Sequence, residues 1–488
     1  MLELSTLRDA ARSEGRVNRR LFLAYGAALS SLPWWGRLAA GQVAASPRFE
    51  RDPFSLGVAS GDPDDSSVVL WTRLAPRPLE GGGLPPETYP VRWEVAAEES
   101  FQTILQHGDT FATPQLGHSV HVELKGLEPD RWYWYRFHCG DAVSPIGRTR
   151  TTPAANVVPP KLRFAFASCQ HYETGLYTAY EQMAQDELDL VFHLGDYIYE
   201  GPGRDGHVRK HVGGKLRTLE DYRNRYAQYR SDVNLARMHA RCPWVVTWDD
   251  HEVENNYAGG ISAITETDPV AFLDHRANAY QAYYEMMPLR PRSLPRGPHM
   301  KLYRTLHFGR LATFQVLDTR QYRTDQPNND KASALNDEAL HPHNTMLGAE
   351  QADWLKNSLL QSTATWNVLA QQVMMGMVYR KVDDEPRYSM DQWPGYAAER
   401  IRLMKFVAER QVPNTVVLTG DIHSNWVNNL HVDDRQAETP VVATEFVGTS
   451  ISSGGNGAKE IANLETLLSE NPGVLFHNRQ RGYVRLHR

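Results

Sequence analysis

Four apolar runs in this sequence each stop at a residue that binds metals or protons. They are Phe164-Ala-Phe-Ala-Ser-Cys169, Leu190-Val-Phe-His-Leu-Gly-Asp196, Trp244-Val-Val-Thr-Trp-Asp249-Asp250 and Thr415-Val-Val-Leu-Thr-Gly-Asp421. Short runs of this kind, rich in Val, Leu and aromatic residues, read as buried strands. Strands that all end this way line several anionic groups along one rim. Buried anions are costly without partners, so the rim needs cations. The donors are of different kinds: hard carboxylate oxygens, one thiolate and one imidazole. That mixture points to two unlike metal ions rather than to a single zinc.

The chain has 488 residues, which suggests two folded units with additions. Hydrophobic residues make up 41% and aromatics 10%, enough for sizeable cores. With 52 Lys and Arg against 58 Asp and Glu, the net charge of −6 argues against a protein that coats nucleic acid. Three cysteines are no disulfide framework. Cys139 and Cys242 read as small buried residues, whereas Cys169 stands at a strand end.

Residues 1–45 read as an export signal. Asn18-Arg19-Arg20-Leu21-Phe22-Leu23 precedes a mild Ala- and Gly-containing apolar stretch, which resembles a twin-arginine leader. The stretch is too short and interrupted to span a bilayer. This predicts a partner in the twin-arginine export machinery, a periplasmic or extracellular location, and no stable membrane span after cleavage.

Residues 46–152 read as a β-sandwich. Val68–Arg73, Val91–Val95, Ser119–Leu124 and Trp132–Phe137 are β-rich and separated by turn residues. Gly126-Leu-Glu-Pro-Asp-Arg-Trp-Tyr133 resembles the tyrosine corner of fibronectin type III sandwiches. Residues 153–160 read as a linker by their Pro and Ala content. Residues 161–488 then alternate strand and helix, which predicts a layered α/β domain with ligands beyond the strand C-termini. Within it, Leu219–Ala240 reads as one long helix, and Asp325–His343 and Ile451–Ala458 as exposed loops.

Asp196 and Tyr199 stand three apart in Gly195-Asp-Tyr-Ile-Tyr199. The carboxylate can bridge two metals and the phenolate can fold back onto one of them, or the tyrosines can simply pack at a turn. Asp250-His251-Glu252 offers an oxygen ligand followed by an imidazole able to protonate a leaving group. Asp249 is an equally acidic neighbour. Asn255 and Asn256 are candidate ligands, phosphate partners or turn residues. In Gly420-Asp421-Ile422-His423, period two puts two ligands on one side of an extended segment. Gln371 and Gln372 follow another strand, and an amide oxygen suits a hard ion. Cys169, Tyr199 and His423 thus read as an iron-like position. Asp250, Asp421 and Gln372 read as a calcium-like one, with Asp196 shared. Arg320 and Arg323 are candidates to bind phosphate oxygens, or else to form surface or structural salt bridges. Arg237, on a charged helix, reads instead as a surface residue.

Together these pieces resemble the PhoD-type alkaline phosphatase family, distant relatives of purple acid phosphatases, from about Phe54 to Val484. The carriers are Ala167-Ser-Cys169-Gln170, Gly195-Asp-Tyr-Ile-Tyr-Glu200, Trp248-Asp-Asp-His-Glu-Val-Glu-Asn-Asn-Tyr257, Leu317-Asp-Thr-Arg-Gln-Tyr-Arg-Thr324 and Thr419-Gly-Asp-Ile-His423. The resemblance implies an αββα metallophosphatase core of two mixed sheets behind a fibronectin-III-like sandwich. It implies ferric iron with calcium, and phosphomonoesterase and phosphodiesterase activity at alkaline pH. It also implies a C-terminal extension past Gly482-Tyr-Val-Arg485 that this sequence lacks, so the catalytic domain is expected to be shortened. The expected reaction is in-line attack on phosphorus by a hydroxide or oxide held between the metals, with His251 as proton donor. Two other readings stay open: a non-catalytic envelope protein that binds anionic polymers, and a secreted zinc or manganese nuclease.

Overall fold

The structure is a computed structural model describing residues 43–44 and 47–487, apart from 265–266, 437, 456 and 460. The twin-arginine segment lies outside the described residues. Eight strands come first: β1 (Val58–Gly61), β2 (Ser67–Arg73), β3 (Tyr89–Ala96), β4 (Ile104–Ala112), β5 (Ser119–Lys125), β6 (Trp132–Cys139), β7 (Ala142–Val143) and β8 (Gly147–Arg150). Then β9 (Arg163–Ala167), α1 (Thr178–Met183), β10 (Leu190–His193), α2 (Leu219–Arg230), α3 (Val233–His239), β11 (Trp244–Val246) and α4 (Pro269–Met286) alternate. A second set follows: β12 (Arg304–Phe308), β13 (Ala312–Val316), α5 (Gly348–Gln361), β14 (Trp366–Ala370), a small hairpin of β15 (Arg380–Val382) and β16 (Glu385–Arg387), and α6 (Ala397–Glu409). The chain closes with β17 (Thr415–Thr419), β18 (Asn425–Leu430), β19 (Ala443–Val447), α7 (Leu464–Glu470), β20 (Val474–Asn478) and β21 (Val484–His487).

Two mixed seven-stranded sheets carry the α/β part, in the orders β21-β9-β10-β11-β1-β2-β5 and β12-β13-β14-β17-β19-β18-β20. Their facing sides share one apolar layer that includes Phe164, Phe192, Val245, Phe314, Val368 and Leu418. Phe314 meets Phe192 with ring centroids 4.7 Å apart and Phe164 at 5.4 Å. On its other face the first sheet packs against α1 to α4 through Trp244, Tyr180, Tyr226 and Tyr283. The second packs against α5 and α6 through Leu355, Leu403 and Val417. The layers therefore run helix, sheet, sheet, helix. Consecutive parallel strands β9, β10 and β11 point their C-termini to one edge, and so do β13, β14 and β17 in the other sheet.

The N-terminal region is less separate than its linker suggests. β1, β2 and β5 do not form a sheet of their own. β1 pairs in parallel with β11 at Gly61 and Trp244, so these strands extend the first large sheet. The second layer of the sandwich is the five-stranded sheet β4-β3-β6-β7 with β8 on β6. Val68, Leu70, Val91, Val120, Tyr135 and Phe137 fill the space between the layers. The expected tyrosine corner is present: the Tyr133 hydroxyl lies 2.8 Å from the Glu128 amide, whose hydrogen it accepts, and 3.2 Å from the Glu128 carbonyl.

Two further expectations change. The long helix of residues 219–240 is two helices, because Asp232 caps a new start. Its carboxylate accepts from the amides of Asn234 at 2.9 Å and Leu235 at 3.2 Å, which favours extended backbone at 232 over a further helical turn. And the first residues of the 451–458 loop are buried, with Ile451, Ser452 and Ser453 against the first sheet's rim. Cys139 and Cys242 are buried free thiols, as expected.

Candidate metal centre

The turns that follow the strands place the site. Cys169, Asp196, Asp421 and His423 have φ values of 58°, 55°, 67° and 52°. Left-handed backbone costs a residue with a side chain about 1–2 kcal/mol. Four such residues in one place are held there by their surroundings. The Cys169 amide donates to the Gly195 carbonyl at 3.1 Å, and the Gln170 amide to the Asp196 carbonyl at 3.1 Å, so the two tips are tied together. The Glu252 carboxylate sits beneath them and accepts from the amides of Asp196 at 3.1 Å, Tyr197 at 2.5 Å and Asp249 at 2.8 Å. Gly195 is required by this crossing: at φ 109° a Cβ there would stand 2.5 Å from the Asp249 nitrogen.

Three sets of ligating atoms result, each with all members within 4.8 Å of one another: Cys169, Asp196 and His423; Asp196, Asp250 and His251; and Asp249, Asp250 and Asp421. Asp196 links the first set to the second, and Asp250 links the second to the third. Tyr199 joins the first set. Its hydroxyl donates to Asp196 Oδ2 at 2.8 Å, lies 3.3 Å from His423 Nε2 and accepts from Ser453 Oγ at 2.7 Å. Two carboxylate oxygens, Asp196 Oδ1 and Asp249 Oδ2, are buried with no hydrogen-bond partner. A thiol, a phenol, an imidazole and carboxylates around such oxygens fit a metal centre with one softer and one harder end.

The electrostatics agree with that fit. Burial, with Asp196 alongside, pushes the Cys169 thiol well above its usual range. Burial also drives Asp196 and Asp249 up. Burial, opposed by Arg320, brings Asp421 to about 7. His251 is pulled down by burial, but the carboxylates of Glu200, Asp250 and Asp196 outweigh this and hold its pKa well above the ordinary value. Among the described residues, Arg320 and His251 are the basic groups set directly among the carboxylates of Asp196, Asp249, Asp250 and Asp421, two against four. Glu200 fixes the imidazole ring by accepting from Nδ1 at 2.7 Å. The ring lies on Tyr199 with centroids 4.1 Å apart.

Several expected site residues do other work. Both ends of the Gln372 amide are taken: its oxygen accepts from the Thr319 amide at 2.9 Å and hydroxyl at 2.6 Å, and its nitrogen donates to Thr247 Oγ1 and the Leu317 carbonyl, both at 2.9 Å. Gln371 is likewise saturated by Val373, Thr419 and Trp393. Neither glutamine is left free to ligate. Arg320 is buried in the carboxylates rather than aimed at a substrate: it pairs with Asp249, binds Asp391 at 2.8 Å, and lies 3.5 Å from Asp250 and 3.7 Å from Asp421. Arg323 is spent on Asp391 at 2.7 Å and on the carbonyls of Asn256 and Tyr257. Asn256 donates its amide to Asp250 at 2.6 Å and its side chain to Asp330 at 2.6 Å, so it orients a candidate ligand. Asn255 is exposed beside His251, its backbone donating to Glu200 at 3.2 Å. Arg237 is exposed in the last turn of α3. Sequence reasoning does not find Glu200, Glu252, Asp391 and Ser453. The first two stand inside motifs but have only their acidity as a signal, and the last two arrive from distant loops.

Fold and site together define a four-layered α/β scaffold with a candidate mixed-donor metal centre at its strand tips. The sequence matches the PhoD-like phosphatase family over residues 164–488 and that family's N-terminal domain over residues 40–153. It is 56% identical over 449 residues to alkaline phosphatase D of Bacillus subtilis (strain 168), covering 91% of this chain and 77% of the relative. The solved structure of PhoD superposes with a TM-score of 0.88 at 55% identity, over 91% of this chain and 85% of that one. The chain belongs to the PhoD-like phosphatase family.

Proposed function

We propose that this centre hydrolyses phosphate esters, the activity named in its relative alkaline phosphatase D. The observation that carries this reading is the position of Asp196, shared by a thiol–imidazole–phenol set and a carboxylate–imidazole set. Cys169, Tyr199 and His423 would hold a ferric ion, and Asp250, Asp421 and Asp249 calcium, with Asp196 between. When bound, such ions activate water and neutralise charge developing on phosphoryl oxygens. The protein's own groups do the rest. His251, charged and braced by Glu200, holds a proton on the far nitrogen, Nε2, for the leaving oxygen. Arg320 balances Asp249 from within, and the exposed Asn255 amide would be left to meet a substrate phosphate. We read the four layers as an αββα metallophosphatase core and the N-terminal layers as a fibronectin-III-like sandwich that shares its sheet.

The paired arginines Arg19 and Arg20 support export by the twin-arginine pathway to the periplasm or beyond. Among the described residues no helix is long and apolar enough to cross a membrane.

Turnover of p-nitrophenyl phosphate tests the assignment. Cys169→Ala and Asp196→Asn are expected to lose at least about a hundredfold in kcat while remaining folded by circular dichroism. Glu200→Gln is expected to lower the His251 pKa, and so to move the alkaline fall of the kcat profile to lower pH. Full activity in the first pair, or an unmoved profile in the third, contradicts these roles.

A further inference from the structure

A second cluster of ligating side chains lies just behind the Cys169 tip and is not used in the reaction. His171 and Glu173 stand in the turn after β9, and His211 comes from the loop that follows Glu200. One ligating atom from each lies within 4.8 Å of the other two. His171 Nδ1 is shut off from solvent and has no hydrogen-bond partner. Glu173 is buried, and its two oxygens have different tasks. Oε1 accepts from the amides of Arg204 at 2.8 Å and His211 at 3.0 Å. Oε2 is left facing imidazoles, 3.6 Å from His211 Nδ1 and 3.6 Å from Nδ1 of the more exposed His207.

We propose that His171, Glu173 and His211, with His207 as fourth donor, form a second metal site for a zinc-class divalent cation. Imidazoles with one carboxylate are a zinc donor set, and a tetrahedral zinc sets its ligand atoms about 3.4 Å apart. The two 3.6 Å separations at Glu173 are already near that edge length. The outer contacts suit ligation as well. His211 Nε2 lies 2.9 Å from the Tyr229 hydroxyl, which can accept its hydrogen once Nδ1 binds metal. The Gly201 carbonyl, 3.2 Å from His211 Nδ1, keeps a donor in Arg225 at 2.9 Å when that nitrogen turns to an ion. The His171 ring lies against Tyr199, with centroids 4.4 Å apart. An ion here clips the loop of residues 201–217 to the turn that carries Cys169, and braces the phenol from behind.

The test uses the full-length protein with its own metals in place, equilibrated with zinc and freed of excess. Elemental analysis is expected to find one zinc per chain, and X-ray absorption at the zinc edge to show imidazole nitrogen and oxygen without sulfur. Glu173→Gln keeps an amide oxygen for the two backbone donors, and is expected to lower zinc affinity at least about tenfold. His207→Ala, at an exposed position, is expected to weaken binding without disturbing the fold. A sulfur shell at about 2.3 Å would put the zinc at Cys169 and overturn the proposal. Equal zinc uptake by the parent and Glu173→Gln, or no uptake by the parent, would overturn it too.

Discussion

At the scale of single residues, the centre is a set of acids that the folded chain brings together against their charge. Glu252 rises to about 8, chiefly through burial, and Asp421 to about 7. Both lie above their ordinary values of 4.5 and 3.8, so the folded state binds these protons more tightly than the unfolded one. Their contribution to stability is therefore complete at low pH and is lost as pH rises towards 7 and 8. We expect chelated protein to melt at a lower temperature at pH 8 than at pH 5, and iron with calcium to remove most of that difference. A metal-free protein that is equally stable at both pH values would show that these acids are not strained. Much of the set is legible in the sequence, because Cys169, Asp196, Tyr199, Asp250, His251, Asp421 and His423 all closely follow an apolar run. Gln372, Arg320 and Arg323 are not, because nothing local to a side chain says which neighbour will satisfy it. Thr319 and Asp391 do so, and both reach them only in the fold.

At the scale of elements, the chemistry depends on how strands end. β10 leads to Gly195, where the chain crosses the Asp249 backbone with no room for a side chain. Gly195→Ala would add a clash with backbone atoms to a strained φ. We expect it to cost roughly 3 kcal/mol in denaturant unfolding and to weaken metal binding, since Asp196 is the next residue. A variant within about 0.5 kcal/mol of the parent would mean that the crossing yields easily. Strands with strong apolar content, such as β9, β10, β14 and β17, are plain in the sequence. β18 reads Asn-Trp-Val-Asn-Asn-Leu and is not, because its asparagines serve the sheet: Asn428 donates to the buried Glu445 at 2.9 Å. The break between α2 and α3 is hidden because their composition is helical on both sides and only the Asp232 cap divides them.

At the scale of the molecule, the sandwich and the α/β part are one object. β1 adds to β11, the Trp71 indole donates to the Glu285 carbonyl at 2.9 Å, and Arg304 pairs with Asp62 at 2.7 Å. The linker composition of residues 153–160 suggests two separable domains, since a sequence does not show which strands will pair across it. We expect one calorimetric transition for the holoprotein; two well-separated transitions would contradict a shared sheet. At the separate strand tips, thiol, phenol, imidazole and carboxylate are proposed to hold an iron beside a harder ion. Metal analysis with the visible spectrum of the fully active protein tests it most directly. We expect iron in stoichiometric amount, calcium alongside, and a phenolate charge-transfer band that Tyr199→Phe abolishes. A colourless, iron-free preparation with full activity would contradict it.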